Sequence, residues 1–281
     1  MTVHDGLPTE LPPGATATVP PLSADHRLAS VERAVHRMRE RLGEVQCLSD
    51  HAEAALFSPF HFHRVFRSVT AVTPARFLAA LRMAEAQRMM IRGAPRVTDV
   101  CTAVGYSSLG TFTTQFTRLV GMSPSRFKLL VDEHGDRRIG ELVDTRGPVM
   151  SVAHDGDRPA PDEIAGEIVG GPATDGVLFT GLFPHGVPQD GPVGCAVTTA
   201  PGPVRLRPPD DGTYRVLAVR FDRDTRVADA LDDPAGERRL IGAARAPRRG
   251  SRVRFSVRLR APEISDPPIV VALPLLNRAV R

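Results

Sequence analysis

The chain has 281 residues, a formal net charge of +4 and three cysteines, long enough for two domains with separate cores. It contains no run approaching the ~18 apolar residues of a membrane-spanning helix, and its opening MTVHDGLPTELPPGATATVPP lacks the basic and apolar regions of a secretory leader. Cys47, Cys101 and Cys195 are far apart and odd in number, which argues against a disulfide framework and fits a reducing cytoplasm.

The charge is divided unevenly. Residues 26–131 hold fourteen arginines and one lysine against seven acids, a net of +8, whereas the remainder nets −4. That split is expected when one domain meets a polyanion.

Residues 1–24 read as a flexible, proline-rich arm. Residues 26–42 carry Leu28, Val31, Val35, Met38 and Leu42 at helical spacing, with arginines on the other faces, so an amphipathic helix is predicted. A short helix follows over 48–56. Ser58-Pro59 then opens another, with serine at the N-cap and proline in the first turn. The same grammar recurs at Thr73-Pro74 and Ser123-Pro124. Short helix, tight turn, second helix is the helix-turn-helix arrangement.

The stretch SPFHFHRVFRSVTAVTPARF reappears fifty residues later as SLGTFTTQFTRLVGMSPSRF. Phe62 answers Phe112, Phe66 answers Phe116, and Pro74 answers Pro124 at this offset. Between the copies, residues 74–92 form a connector that is apolar nearly all round, so both units are expected to pack on it. Gly93 ends it, and Thr98 is expected to cap the next short helix. Nineteen residues of helix span roughly 28 Å, the order of one DNA turn, about 34 Å. Two helices so placed can enter successive major grooves.

The runs RMAEAQRMM, VCTAVGYSSLGTFTTQF and GMSPSRF resemble the DNA-binding domain of the AraC/XylS family of transcriptional regulators. The resemblance covers residues 31–130. It implies binding of double-stranded promoter DNA through two helix-turn-helix units, with activation through RNA polymerase. Carried over by motif, it assigns first-unit contacts to Phe60, His61, His63 and Arg64, with Arg67 near the DNA backbone. Second-unit contacts fall on Leu109, Gly110, Thr111 and Thr114, with Gln115 and Arg118 nearby. Leu56 replaces a common glycine, Thr114 replaces a common arginine, and Thr117 replaces a common basic residue. The first unit is therefore expected to carry most of the direct readout, and the second to make phosphate and methyl contacts.

Residues 132–162 are polar and broken by Gly and Pro, and read as a linker. Beyond them the apolar period shifts towards two. Strands are predicted over 164–169, 177–183, 193–199, 204–207, 213–222, 240–244, 252–260 and 269–273, with a helix only at 225–232. The cleanest alternation is in 252–260, where Val253, Phe255, Val257 and Leu259 share a face. The fold class is thus multidomain: an all-α double helix-turn-helix domain at 25–131, then an all-β antiparallel sandwich at 163–275, then a tail at 276–281. IAGEIVGG, VLFTGLFP and PDDGTYRVLAV give the second half a resemblance to transthyretin-like or carboxypeptidase-regulatory-like sandwiches. Such modules serve as structural or recognition units, so a role in association with a protein partner, or in sensing a small-molecule effector, is implied.

Rival readings are weaker. Some DNA-repair alkyl-transfer proteins join this helical domain to a reactive cysteine and a four-cysteine zinc site. Here Cys195 sits in PVGCAV, without the adjacent His and Arg that would activate a thiolate. His61 and His63, two apart on a helix, point to different sides and do not make a metal pair. No cofactor is called for. The arginines of 245–260 could form a second nucleic-acid surface, but a solvated strand face is the simpler account.

Overall fold

The computed structural model describes residues 23–93, 96–146, 162–172, 175–184 and 191–270. The arm over 1–22, the linker residues 147–161, the last three residues of the strand predicted at 269–273 and the tail lie outside this set.

The helical half comprises α1 (Ala24–Glu40), α2 (Leu48–Ala54), α3 (Pro59–Thr70), α4 (Pro74–Ile91), α5 (Val97–Ala103), α6 (Leu109–Val120) and α7 (Pro124–His134). Five of these begin on the same device, α1 among them with Ser23 accepting from the His26 amide at 3.2 Å. The hydroxyls of Ser58, Thr73, Ser108 and Ser123 each accept a hydrogen bond from the amide three residues on, at 3.4 Å, satisfying a donor the helix itself cannot. Helix α5 differs from expectation: it starts at Val97 with Arg96 as N-cap and no side-chain cap, so Thr98 lies inside its first turn.

Two cores hang on α4. Its first half gives Phe77, Leu78 and Leu81 to a core with α1, α2 and α3. Its second half gives Met83, Ala86 and Met90 to a core with α5, α6 and α7. That division explains why its apolar residues circle the helix rather than forming one stripe.

The strand-rich half has a three-stranded sheet in the order β4 (Gly202–Leu206), β1 (Ile164–Val169), β7 (Phe255–Arg258). A four-stranded sheet runs β3 (Gly194–Thr198), β2 (Gly176–Phe183), β5 (Arg215–Asp222), β6 (Arg239–Arg245). Pairing is antiparallel except between β1 and β7, which run parallel with Gly166 opposite Phe255. Facing side chains of the two sheets, Ile164, Ile168, Leu178, Leu182, Val216 and Val257 among them, form one core. A Cβ on Gly166 would lie 2.4 Å from the Phe255 ring, so the absent side chain makes the seat for that ring.

The strand expected from the cleanest alternation is the shortest. Only 255–258 of the predicted 252–260 form a strand, with Arg260 adding an isolated antiparallel bridge to Ile241, and Val253 is 68% exposed rather than sharing the buried face of Phe255 and Val257. Conversely the short, weak signal at 240–244 becomes the seven-residue β6, because β5 offers it a full ladder of hydrogen bonds.

Residues 139–146, within the stretch read as linker, form α8 (Ile139–Arg146). Ile139 and Leu142 are wholly buried. With α9 (Val227–Leu231) they lie in the same core as α6 and α7, together with Val177 and Phe179 of β2 and Phe221 of β5. Strand β2, GVLFTGLF, is buried along its entire length. One face meets the other sheet and the alternate face meets the helical half, which is why it reads as a continuous apolar run. The second helical unit and the four-stranded sheet therefore share one core.

Candidate nucleic-acid interface

Each of the two repeated units presents one helix edge to solvent, and each is built the same way. In the first, Phe62 and Phe66 of α3 face inward and stack with Phe77 of α4, successive centroids being 5.3 Å apart. In the second, Phe112, Phe116 and Phe127 repeat the ladder at 5.7 Å. All six rings are fully buried. At roughly 1.5–3 kcal/mol each, they are the main force that seats α3 and α6 and so dictates which face points outward.

The turns entering these helices are also equivalent. The amides of Leu56 and Phe57 donate to the carbonyls of Glu53 and Ala52, both at 2.9 Å. Those of Gly105 and Tyr106 donate to Thr102 and Cys101, both at 3.0 Å. This is the Schellman arrangement, which needs a left-handed residue. Glycine supplies it at 105 (φ 83°), whereas Leu56 adopts it at φ 61° with a side chain 79% exposed. At the far end of α3 and α6 the pattern repeats, with Ala71 (φ 63°) answering Gly121 (φ 89°).

On α3 the outward residues are Phe60, Arg64 and Arg67, with His61 and His63 half-buried. Phe60 is 81% exposed, an apolar ring that the chain's own core does not use. The His61 ring meets Phe57 edge-on at 4.7 Å, so the turn positions it. Its Nδ1 lies 3.3 Å from Arg64 Nη2, which draws these two groups into one polar cluster.

On α6 the outward residues are Leu109, Gly110, Thr111, Thr114 and Arg118, with Gln115 half-buried. Arg118 Nη2 donates to Gln115 Oε1 at 2.8 Å, so this cation is already held by its own helix. Gly110 answers Phe60 in the repeat. No positive φ requires glycine there, and a Cβ would meet nothing closer than Ser108 Oγ at 3.8 Å. The fold leaves that position open, and the helix backbone is bare at its exposed first turn.

Sequence reasoning passed over Arg82. Its Nε donates to the Leu42 carbonyl at 3.1 Å and its Nη2 to the Glu44 carbonyl at 2.7 Å. The same guanidinium lies 5.7 Å from the centre of the Tyr106 ring. One side chain on α4 thus ties the α1–α2 loop of the first unit to the turn of the second. Desolvation pushes its pKa down, partly offset by Tyr106. The available signal was its place in RMAEAQRMM, but no spacing rule predicts such a long-range partner.

Residues 51–129 match the family model described as a helix-turn-helix domain. This segment is similar to helix-turn-helix domains. Among curated proteins, an uncharacterized HTH-type transcriptional regulator of Bacillus subtilis, YobQ, is 30% identical over 103 residues, covering 37% of this chain and 41% of that protein. The bifunctional transcriptional activator/DNA repair enzyme AdaA of the same organism is 28% identical over 71 residues, covering 25% of this chain and 34% of that one. The chain thus spans less than half the length of these relatives. The crystal structure of the DNA-binding domain of AdpA in complex with a target DNA is 27% identical, with a TM-score of 0.36 and coverage of 37% and 94% of the two chains.

The helix-turn-helix domain carries the basic balance of the molecule, and its exposed helix edges hold arginine, histidine and hydroxyl groups, the donors that reach phosphates and base edges. No described helix is long and apolar enough to cross a membrane.

Proposed function

We propose that the chain is a sequence-specific DNA-binding transcriptional regulator in which α3 and α6 enter successive major grooves of one duplex. The observation that carries this reading is the paired construction of α3 and α6: same caps, same turns, same buried rings, and outward faces unlike each other. Two identical faces would read a direct repeat; two different ones read a longer asymmetric site. In this reading Arg64 donates to a guanine edge, with His61, His63 and Phe60 beside it and Arg67 on a phosphate. Leu109, Gly110, Thr111 and Thr114 approach the second groove, and Gln115 and Arg118 lie at its rim. The difference in free cations supports giving the first unit most of the base readout.

The reading extends to a cytoplasmic protein that meets RNA polymerase at a promoter and does no catalysis of its own. Alkyl transfer to a cysteine needs a thiolate stabilised by nearby positive charge. Cys47 instead has its Sγ 3.0 Å from the Asp50 carboxylate, and burial pushes the Cys101 thiol up. The strand-rich half then serves association or effector sensing.

Selection of bound fragments from random duplex DNA by the full chain tests the central reading. A recovered motif of two dissimilar segments about one helical turn apart is the expected outcome. Recovery of no motif, with binding equal on all sequences, refutes it.

A further inference from the structure

The two halves enclose a cleft of about 750 Å³, within the range of ~300–1,000 Å³ that small-molecule sites occupy. One wall is the end of α1 and the middle of α4, and the other is β6 with the segments that flank it. Leu42, Met89, Ile241 and Ile264 give it apolar surface. Three arginines line it from three different elements: Arg39 of α1, Arg88 of α4 and Arg239 of β6.

Five acids line it too, and four already have partners. Glu85 takes the Nε of Arg88 at 2.9 Å. Glu263 and Asp266 bind Arg260, which lies outside the cleft. Asp233 accepts the backbone amides of Glu237 and Arg238 at 3.0 and 3.2 Å, and meets Arg239 only at 3.6 Å. Glu40 is exposed. The cations are less well matched. Arg239 Nε is buried with no hydrogen-bond partner, and Arg39 has no ion pair among the described residues. Both guanidinium groups are pushed below their ordinary pKa, first by desolvation and also by the charge of Arg88. For Arg239 the nearby Asp233 partly offsets this.

Unspent guanidinium donors facing a roomy, half-apolar cleft suit a carboxylate or phosphate head, which arginine grips through paired N–H groups. We propose that this interdomain cleft binds a small organic anion, its acidic head held by Arg39 and Arg239 and its apolar body against the aliphatic wall. This goes beyond the DNA-binding reading and is tested without DNA, so failure of either leaves the other standing.

The test is calorimetric titration of the full chain with phenylacetate, phenyl phosphate and neutral benzyl alcohol. At least one anion is expected to bind while benzyl alcohol does not, and comparison of the two anions tells carboxylate from phosphate. Arg39→Gln and Arg239→Gln should each weaken that binding tenfold or more, while Arg248→Gln, an exposed arginine outside the cleft, should leave it unchanged. Arg39 lies at the surface, so its variant remains informative even if Arg239→Gln melts early. Binding of benzyl alcohol as tight as that of the anions, no anion binding at all, or Arg39→Gln indistinguishable from the parent chain would each overturn the proposal.

Discussion

The buried side chain of Gln87, in the C-terminal half of α4, donates from Nε2 to the carbonyl of Val270 at 2.9 Å, joining positions 183 residues apart. Near the end of the same helix Arg92 forks onto both carboxylate oxygens of Asp232 at 2.8 and 2.9 Å. The helix that carries both repeated units is therefore bolted to the strand-rich half. The two halves should unfold as one cooperative body, since they share a core. Gln87→Leu is expected to cost about 1–3 kcal/mol by orphaning a buried carbonyl. Urea unfolding followed by circular dichroism measures this, and separate transitions for helix and strand signals would contradict it.

Arg64→Ala should weaken DNA binding by about 1–3 kcal/mol and relax one base preference, while Thr114→Ala should cost less. Titrations of a selected site and of its single-base variants decide the order. A large loss at Thr114 with none at Arg64 would reverse the roles assigned to the two units.

Gly110→Ala separates binding from folding. The helix should gain up to about 1 kcal/mol, because alanine is the better helix former and the site is sterically open. DNA affinity should nonetheless fall tenfold or more, about 1.4 kcal/mol, if the bare backbone is there for close approach to the duplex. Unchanged affinity would make the glycine incidental.

Leu56→Gly and Ala71→Gly should each stabilise the domain by about 1 kcal/mol, because L-residues in the left-handed region carry a steric penalty that glycine escapes. The mirror change, Gly121→Ala, should destabilise by a similar amount. Denaturant midpoints at constant slope test all three.

His51 is 3% exposed, and its Nδ1 has no hydrogen-bond partner among the described residues. Desolvation depresses its pKa, partly countered by Asp50. The unfolded chain then binds a proton below about pH 6.5 that the folded chain refuses, so stability falls as pH drops from 6.5 towards the folded value. His51→Leu should flatten the stability profile between about pH 5 and 7, a range set by the ordinary histidine value. A slope unchanged by that substitution would assign the effect to other groups.

Much of the helical half was legible in its residues. Hydroxyl-proline pairs marked helix starts, and a fifty-residue repeat of phenylalanines marked equivalent cores, because caps and 3.6-residue periodicity are local properties of the chain. Strand existence was legible for the same reason, but strand extent was not. The alternation at 252–260 gives only a four-residue β7, since pairing depends on a neighbour that sequence does not display.

What the sequence by itself determined is that two homologous helical units exist, which residues they bury, and where the positive charge lies. What only the tertiary structure decided is which distant groups meet. Arg82 spans the two units, α8 forms inside an apparent linker, and the alternate face of β2 joins the core of the second unit. The cleft between the halves gathers arginines from positions 39, 88 and 239. Such contacts are set by the burial of whole apolar faces against one another, and that depends on the three-dimensional partner rather than on any local pattern.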